Sequence, residues 1–430
     1  MPRLPNNMRL PPTTDRVQAL IVALGLATVM LLLVPYVDLT HGLTHARLNF
    51  YSVDDDKRLG KEWAERFQSK NPIVKDPALN VYLQQLGERI AAVAAVPDFQ
   101  FRFRILNTEA INAQAFPGGF IYVNLGLLLA ARNEGELAGV LAHEIGHVVA
   151  RHGTKQLSQS QLVEGAIAVG GTLVFGPVAS PVTGLMTQLG ELSYSRWEEQ
   201  QADDLAVDYL YLAGYHPEGV ATFLDLLWQK RHEGPLGELL STHPLAERRA
   251  ANARWRFSTW PLDAQWVRDS TDFQGVNGLF RSTAHISRGR RLLQSGKFVE
   301  AQDELEKALE LNSRSGEAYY WRAAVLAKIG MNDFALRDLK ASIEVNPDMI
   351  ESYEALDALL APKGEWDTIA AYWTRFIDLH PESGKAYYER GGSYYHKGDM
   401  ANALKDAKQS CNLGYQSGCQ IHQKLTARAR

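Results

Sequence analysis

A period of 34 residues in the C-terminal third of the chain constrains its fold more than any other feature. Small, aromatic and proline positions all keep this period: Gly296, Gly330, Gly364 and Gly398; Ala301, Ala335 and Ala403; Tyr319, Tyr353 and Tyr387; Pro347 and Pro381. A unit of this length is a helix pair that cannot bury its own apolar face. We therefore expect the units to stack into an α-solenoid with a concave groove.

These positions resemble those of tetratricopeptide repeats. The third unit departs from the pattern, because Ile369 and Asp357 occupy positions that are small in the other units. The resemblance implies a repeat domain, predicted at residues 283–422, whose groove recruits clients or assembly partners. A linker that contains Pro261 is predicted before it, at residues 256–282.

A second feature is a pair of histidines one helical turn apart. His143 and His147 lie on one face of a predicted helix, so both imidazoles can reach one ion. Asn133 and Glu136 form a capping box at the start of this helix, and its apolar residues predict burial. Buried histidines and a buried Glu144 are costly unless they are paired or bound to metal. Glu144 would lie beside the ion and take a proton from an attacking water.

A later helix offers the remaining ligand. Ser195 and Glu198 form a capping box, and Glu199 and Asp203 follow on one face. A hydrolytic zinc site needs three protein ligands and an open position, so Glu199 completes the set. Asp203 would accept the spare N–H of a ligand histidine. Alternatively, both acids form an exposed face, since the helix dipole favours carboxylates in the first turn.

Three motifs together resemble the HtpX and CAAX-prenyl-protease type of zinc metallopeptidase. They are His143-Glu-x-x-His147-x-x-x-Arg151-His152, Ser195-Arg-x-x-Glu199-x-x-Ala202-Asp203, and Asn112-Ala-x-x-Phe116-Pro117-Gly118-Gly119-Phe120-Ile121-Tyr122-Val123. The resemblance implies an α+β, gluzincin-like peptidase domain, predicted at residues 50–255, in a mainly α chain. It also implies one Zn²⁺ per chain held by His143, His147 and Glu199, with Glu144 as catalytic base and Asp203 supporting a ligand.

A further segment, Ser241-Thr242-His243-Pro244 with Arg248 following, resembles the family's late motif near the active site. His243 is then either a fourth, displaceable zinc ligand or a partner for the oxyanion. The alternative is a residue at a helix entry, before a proline at the first helical position.

Alternating apolar residues between Phe99 and Ile105 predict a half-buried antiparallel strand, and a second strand is predicted at Phe120–Leu125 after a glycine turn. A sheet edge beside the zinc helix could bind an extended substrate by strand addition. The candidate substrate-binding residues are Gly118, Gly119, Phe120 and Tyr122; the alternative is plain scaffolding.

An apolar run at residues 17–37 is long enough to span a bilayer. Arginines precede it and aspartates follow it, which predicts a cytoplasmic N-terminus and an exported remainder. We predict an uncleaved inner-membrane anchor within residues 1–38; a cleaved signal peptide, giving a soluble periplasmic protein, is the alternative. The uncharged, glycine-rich stretch Gly165–Gly190 is expected to be a buried connection, a helical hairpin or lid, or a contact with the membrane surface.

The two cysteines of the chain, Cys411 and Cys419, fall across a helix–turn–helix corner, similar to cysteine-containing Sel1-type repeats. An exported protein permits a disulfide there; two free thiols are the alternative. The net charge of −4 argues against nucleic acid as a partner.

The order of parts is similar to the beta-barrel assembly-enhancing protease group, although the long apolar N-terminal run departs from it. That resemblance implies a membrane-associated zinc endopeptidase for misfolded or stalled envelope proteins, active in outer-membrane assembly and protein quality control. The alternative is a chaperone or assembly scaffold with a latent zinc site.

Overall fold

The computed structural model describes residues 49–94, 99–160, 193–232, 239, 243, 248–261 and 265–428. The predicted anchor at residues 17–37 and the stretch Gly165–Gly190 lie outside the described residues. Among the described helices, none combines the length and the apolar character that a bilayer crossing requires. The larger of two compact units comprises Lys57–Ala150 and Ser193–Arg430 and contains both the histidine motif and the repeats. In the smaller unit, Arg151 pairs with the buried Asp56 (Nε–Oδ2 2.5 Å).

The described elements are mainly helical, as the sequence predicts. The helices are α1 Val53–Lys70, α2 Pro77–Ala91, α3 Leu125–Ala130, α4 Glu134–Val149, α5 Arg196–Leu212, α6 Glu218–Lys230, α7 Arg249–Phe257, α8 Thr271–Gln294, α9 Phe298–Leu311, α10 Gly316–Lys328, α11 Asn332–Val345, α12 Ile350–Leu360, α13 Trp366–Leu379, α14 Gly384–Lys397, α15 Met400–Asn412 and α16 Gln416–Arg428. The strands are β1 Arg102–Leu106, β2 Ala113–Phe116 and β3 Phe120–Asn124.

Helices α4 and α5 begin where the capping residues predict and then pack closely. The Asn133 side chain accepts a hydrogen bond from the backbone N–H of Glu136 (2.9 Å), and Ser195 with Glu198 completes a reciprocal capping box. A Cβ atom on Gly146 would lie 3.1 Å from the carbonyl oxygen of Ala202. The absence of a side chain at Gly146 therefore lets the two backbones approach, which brings the acids of α5 to the histidines of α4.

The sheet corrects two predictions. Its order is β1-β3-β2, with β1 parallel to β3 and β2 antiparallel to β3. The predicted antiparallel pairing of β1 is wrong, because the unpredicted strand β2 takes the antiparallel place through the tight turn Pro117–Gly119. The predicted edge at Phe120–Leu125 is wrong as well, since β3 has a neighbour on each side.

The C-terminal helices form the predicted repeats. The four periodic glycines, Gly296, Gly330, Gly364 and Gly398, all adopt positive φ, between 73° and 86°. Each ends the first helix of a pair, where the left-handed conformation favours glycine. The period in the sequence thus marks the helix–helix corner of every unit. At the last corner, Cys411 and Cys419 are joined by a disulfide.

Helix α8 begins within the predicted linker at residues 256–282 and continues beyond it. Phe273 and Phe280, which are 1% and 0% exposed, belong to the core of the peptidase half. Further along the same helix, Ile286 packs with Ala308 and Ala318 of the repeats. The second half of the predicted linker is therefore helical, with its phenylalanines buried in the core, and the domain boundaries remain a prediction.

In the third repeat, an acid replaces the small residue of the other units. Asp357 lies where they have Gly289, Ala323 and Gly391, and its Oδ2 accepts a hydrogen bond from Trp373 Nε1. The other oxygen, Oδ1, is buried without a hydrogen-bond partner in the described part of the chain. Burial raises the pKa of Asp357 from 3.8 to about 7.

This acid should make the stability of the repeats depend on pH. The folded chain holds the proton of Asp357 more tightly than the unfolded chain, so stability is full below pH 4 and falls as the pH rises to about 7. One pKa unit corresponds to about 1.4 kcal/mol; allowing for partial exposure, we expect a loss on the order of 2 kcal/mol. Urea unfolding at about pH 4 and at about pH 7 measures this loss of stability. Asp357→Asn should remove this dependence and the exposed Asp367→Asn should not; equal slopes in the two variants would contradict the assignment.

Candidate metal centre

Four side chains from three parts of the chain converge on one point. His143, His147, Glu199 and His243 each offer a ligand atom, and these atoms lie within 4.8 Å of one another. All four residues are buried, and none of them exposes more than 9% of its surface. Helix α4 supplies two of them, α5 supplies the third, and His243 follows α6 along the chain.

The spacing of these atoms fits zinc. His143 Nε2 and His147 Nε2 are 3.0 Å apart, and Glu199 lies 3.6 Å and 3.4 Å from them. Tetrahedral zinc, with bonds of about 2.0–2.1 Å, places its ligand atoms roughly 3.4 Å apart. Two imidazole nitrogens that face each other in a buried site need a shared cation or proton between them. The donor set of three imidazoles and a carboxylate suits one zinc ion.

Further side chains pack around this cluster and form hydrogen bonds and ion pairs with it. Asp203 Oδ1 lies 2.9 Å from His143 Nδ1, as its position on α5 predicts. Arg249 binds Asp203 with two charge-assisted hydrogen bonds (2.7 and 2.8 Å) and also pairs with Glu199 (2.5 Å). Sequence reasoning missed Arg249 and named Arg248, which is exposed. The ring of Tyr194, also missed, stacks on His147 at 3.9 Å.

The electrostatics of the site follow from burial and from Arg249. Burial alone would raise the pKa of Glu199, but Arg249 and His243 outweigh it and hold this pKa well below its usual range. Burial would also raise the pKa of Asp203, but Arg249 and His143 outweigh it, and this pKa is lowered. At Glu144, by contrast, burial dominates and raises the pKa.

Glu144 lies beside the ligand cluster without belonging to it. It is 2% exposed, and its Oε2 has no hydrogen-bond partner among the described residues. Its Oε1 is 3.8 Å from His243 Nε2. Glu144 also lines a cavity of about 40 Å³ whose other walls are largely apolar: Leu127, Val140, Val220, Phe223, Leu224, Leu227 and Leu239. A carboxylate is thus free to act between the cluster and this cavity.

The four predicted substrate-binding residues do not line this cavity. Gly118 and Gly119 are buried in the turn before β3, and the Tyr122 ring packs against Phe67 and Phe116. None of the four, Phe120 included, is among the residues that line the cavity. Ala113, the first residue of β2, does line it.

Comparisons with known proteins agree with this site and this fold. Residues 77–256 match the model of peptidase family M48, and residues 286–349 and 363–410 match that of the tetratricopeptide repeat. The beta-barrel assembly-enhancing protease of Escherichia coli (strain K12) is 30% identical over 316 residues, which cover 65% of this chain and 64% of that protein. The metalloprotease LoiP of the same organism is 30% identical over 252 residues, 56% of this chain and 98% of that protein.

A solved structure of MamA from Desulfovibrio magneticus RS-1 is similar over 35% of this chain and 85% of its own, with 16% identity and a TM-score of 0.30. Fold and site together define a zinc metallopeptidase with tetratricopeptide repeats. The chain belongs to peptidase family M48. It spans 64% of the length of the beta-barrel assembly-enhancing protease that it matches.

Proposed function

We propose that this chain is a zinc endopeptidase that cleaves unfolded or misassembled envelope proteins, with His143, His147 and Glu199 as zinc ligands. The observation that carries this proposal is the buried ligand cluster with Glu144 between it and an apolar cavity. Bound zinc supplies a Lewis acid for the scissile carbonyl and lowers the pKa of water to about 7. Glu144 takes a proton from the attacking water and passes it to the leaving nitrogen. Asp203 fixes the tautomer of His143, and Arg249 fixes Asp203.

The substrate is proposed to bind along β2 rather than β3. The outer edge of β1 is already occupied: Ile105 O accepts from Val74 N (2.9 Å), and the Gln84 side chain bonds to Phe101 and Phe103. No described strand pairs with the outer edge of β2, whose Ala113 lines the cavity. An extended peptide added there would be read through its backbone, which suits unfolded clients.

Asn112, directly before β2, supports this placement. Its side chain is 0% exposed, yet neither its amide nitrogen nor its amide oxygen has a hydrogen-bond partner among the described residues. Buried amides without partners are costly. A substrate backbone along β2 would offer the missing donor and acceptor.

The apolar cavity beside Glu144 is proposed to receive a substrate side chain next to the scissile bond. One water-sized group needs roughly 10–15 Å³ of such space, so the cavity admits about three or four groups. That size matches a branched aliphatic side chain and is too small for an aromatic ring.

Mapping of the bonds cleaved in an unfolded test protein checks this proposal. Wild type should prefer aliphatic side chains at one position beside the cut, and Leu227→Ala should admit aromatic ones, since it enlarges the cavity. A methylene in such a pocket is worth about 10-fold or more in selectivity. Leu226→Ala is the matched control, because Leu226 lies in α6 and is similarly buried but does not line the cavity. The same shift in both variants would reject the cavity as the pocket.

His243 is proposed to be a fourth, displaceable ligand. Its Nδ1 lies 2.9 Å from Glu199 Oε1, and it belongs to the buried cluster. Four protein ligands leave no open position for hydrolysis. This favours a latent enzyme and keeps a chaperone or scaffold with a silent zinc site as the second candidate function.

Substitution of His243 separates the two roles left open by the sequence. His243→Ala should raise basal cleavage, by about tenfold if the imidazole fills the open position in nine chains of ten. The exposed His232→Ala serves as the control. A loss of cleavage with unchanged zinc content would instead assign His243 to the oxyanion.

The repeats are proposed to recruit clients or assembly partners, because the concave groove of stacked repeats is an extended binding surface. We also propose a location on the periplasmic side of the inner membrane, anchored by residues 17–37, with a soluble periplasmic form as the alternative. Separation of the membrane fraction from the soluble periplasmic fraction, followed by detection of the chain in each, distinguishes the two locations.

A further inference from the structure

The repeats share a helix with the peptidase half. Helix α8 buries Phe273, Phe280 and Ala284 in the peptidase core and, further along, Ile286 among the repeats. Packed interiors have low compressibility and transmit displacements. The orientation of α8 is therefore set by both halves.

The last two turns of α8 bind the loop that leads to β2. Ser287 Oγ donates to Asn107 Oδ1 (2.5 Å). Glu109 Oε1 accepts from Arg288 Nε (2.7 Å) and from Arg291 Nη2 (2.9 Å). One carboxylate thus ties two arginines of the first repeat helix to residues 107–112.

This loop has little room to move independently of the site. Thr108 O accepts from Gly126 N (2.9 Å), and Asn112 O accepts from Asn124 N (2.9 Å). A Cβ atom on Gly126 would lie 2.1 Å from Glu109 O, so the backbone segments are in direct contact. A shift at Glu109 is carried to Asn112 and to β2.

We propose that Glu109, Arg288 and Arg291 are positioning residues, through which the first repeat helix holds β2 in the register that presents a substrate to Glu144. The proposal rests on the proposed function in taking β2 as the substrate edge. It makes the repeats part of the active-site architecture in addition to any role in recruitment. Loosening the three residues should weaken substrate binding without touching the zinc ligands.

The test compares the full-length chain with Glu109→Gln. Amide hydrogen exchange at residues 107–116 should become about three- to tenfold faster, the size expected for exposed ion pairs, and KM should rise by a similar factor. Zinc content and kcat should stay unchanged. Arg288→Gln with Arg291→Gln should reproduce the effect, and the corresponding double lysine variant should retain most of the wild-type behaviour.

Glu344→Gln is the matched control, because it breaks an exposed pair with Arg375 within the repeats. It should alter neither exchange at residues 107–116 nor KM. Unchanged exchange in Glu109→Gln, or a fall in kcat at constant KM, would overturn the proposal. Exchange is measured without cleavage, so a chain that cleaves nothing would count against the proposed function and not against the positioning of the loop.

Discussion

Glu144→Gln should keep its zinc and lose about 10²- to 10⁴-fold in the cleavage of an unfolded test protein. The reason lies in the position of this side chain, buried beside the cluster, with one carboxylate oxygen that has no described partner. Glutamine has nearly the same shape, so the proposed ligands His143, His147 and Glu199 should remain as they are. What is removed is a group able to accept and return a proton.

Two measurements on the same preparation decide this prediction. Zinc content by atomic absorption should match wild type, while the rate of hydrolysis falls. Glu65→Gln, at an exposed position of α1, controls for the loss of a carboxylate and for contaminating proteases. Cleavage at the wild-type rate by Glu144→Gln would place the chemistry outside this site; loss of zinc together with activity would make Glu144 a structural group.

Most of the candidate site could be predicted from local features of the sequence. The caps at Asn133 and Ser195 fix where α4 and α5 begin, and a helical repeat then fixes which face holds the histidines and the acids. The repeats were equally readable, because a glycine in the left-handed region is needed at each corner. These features depend on neighbours within one or two turns, so a single sequence contains them.

The wrong predictions concern features that depend on contacts between distant parts of the chain. Strand β2 has four residues and no alternation of buried and exposed positions, and it pairs with the edge of β3 opposite to the one that β1 occupies. Arg249 differs from the predicted Arg248 by one position, which the register of α7 against α5 determines. Helix α8, by contrast, had a readable signal: Phe273 and Phe280 are seven residues apart, on one helical face, although the polar residues between them suggested a linker.

Arg249→Met should cost the metal-free protein about 3–5 kcal/mol of its free energy of unfolding, the range for breaking a buried ion pair. Glu199 and Asp203, each 1% exposed, would lose the guanidinium that compensates both. Urea unfolding in the presence of a chelator measures the loss. Adding Asp203→Asn should recover part of it, because one of the two uncompensated charges is then gone.

Arg254→Met gives a sharp comparison within the same helix. Arg254 also pairs with two acids, Glu218 and Asp225, but its side chain is 40% exposed. Exposed pairs are worth about 0–1 kcal/mol, so its loss should be small. Equal losses in the free energy of unfolding for the two arginine variants would show that burial of the site does not determine the size of the loss.

In zinc-loaded protein the loss caused by Arg249→Met should be smaller, since bound zinc gives Glu199 a second counter-charge and stabilises the folded chain that binds it. We therefore expect Arg249 to be the residue that stabilises the folded site in the absence of zinc.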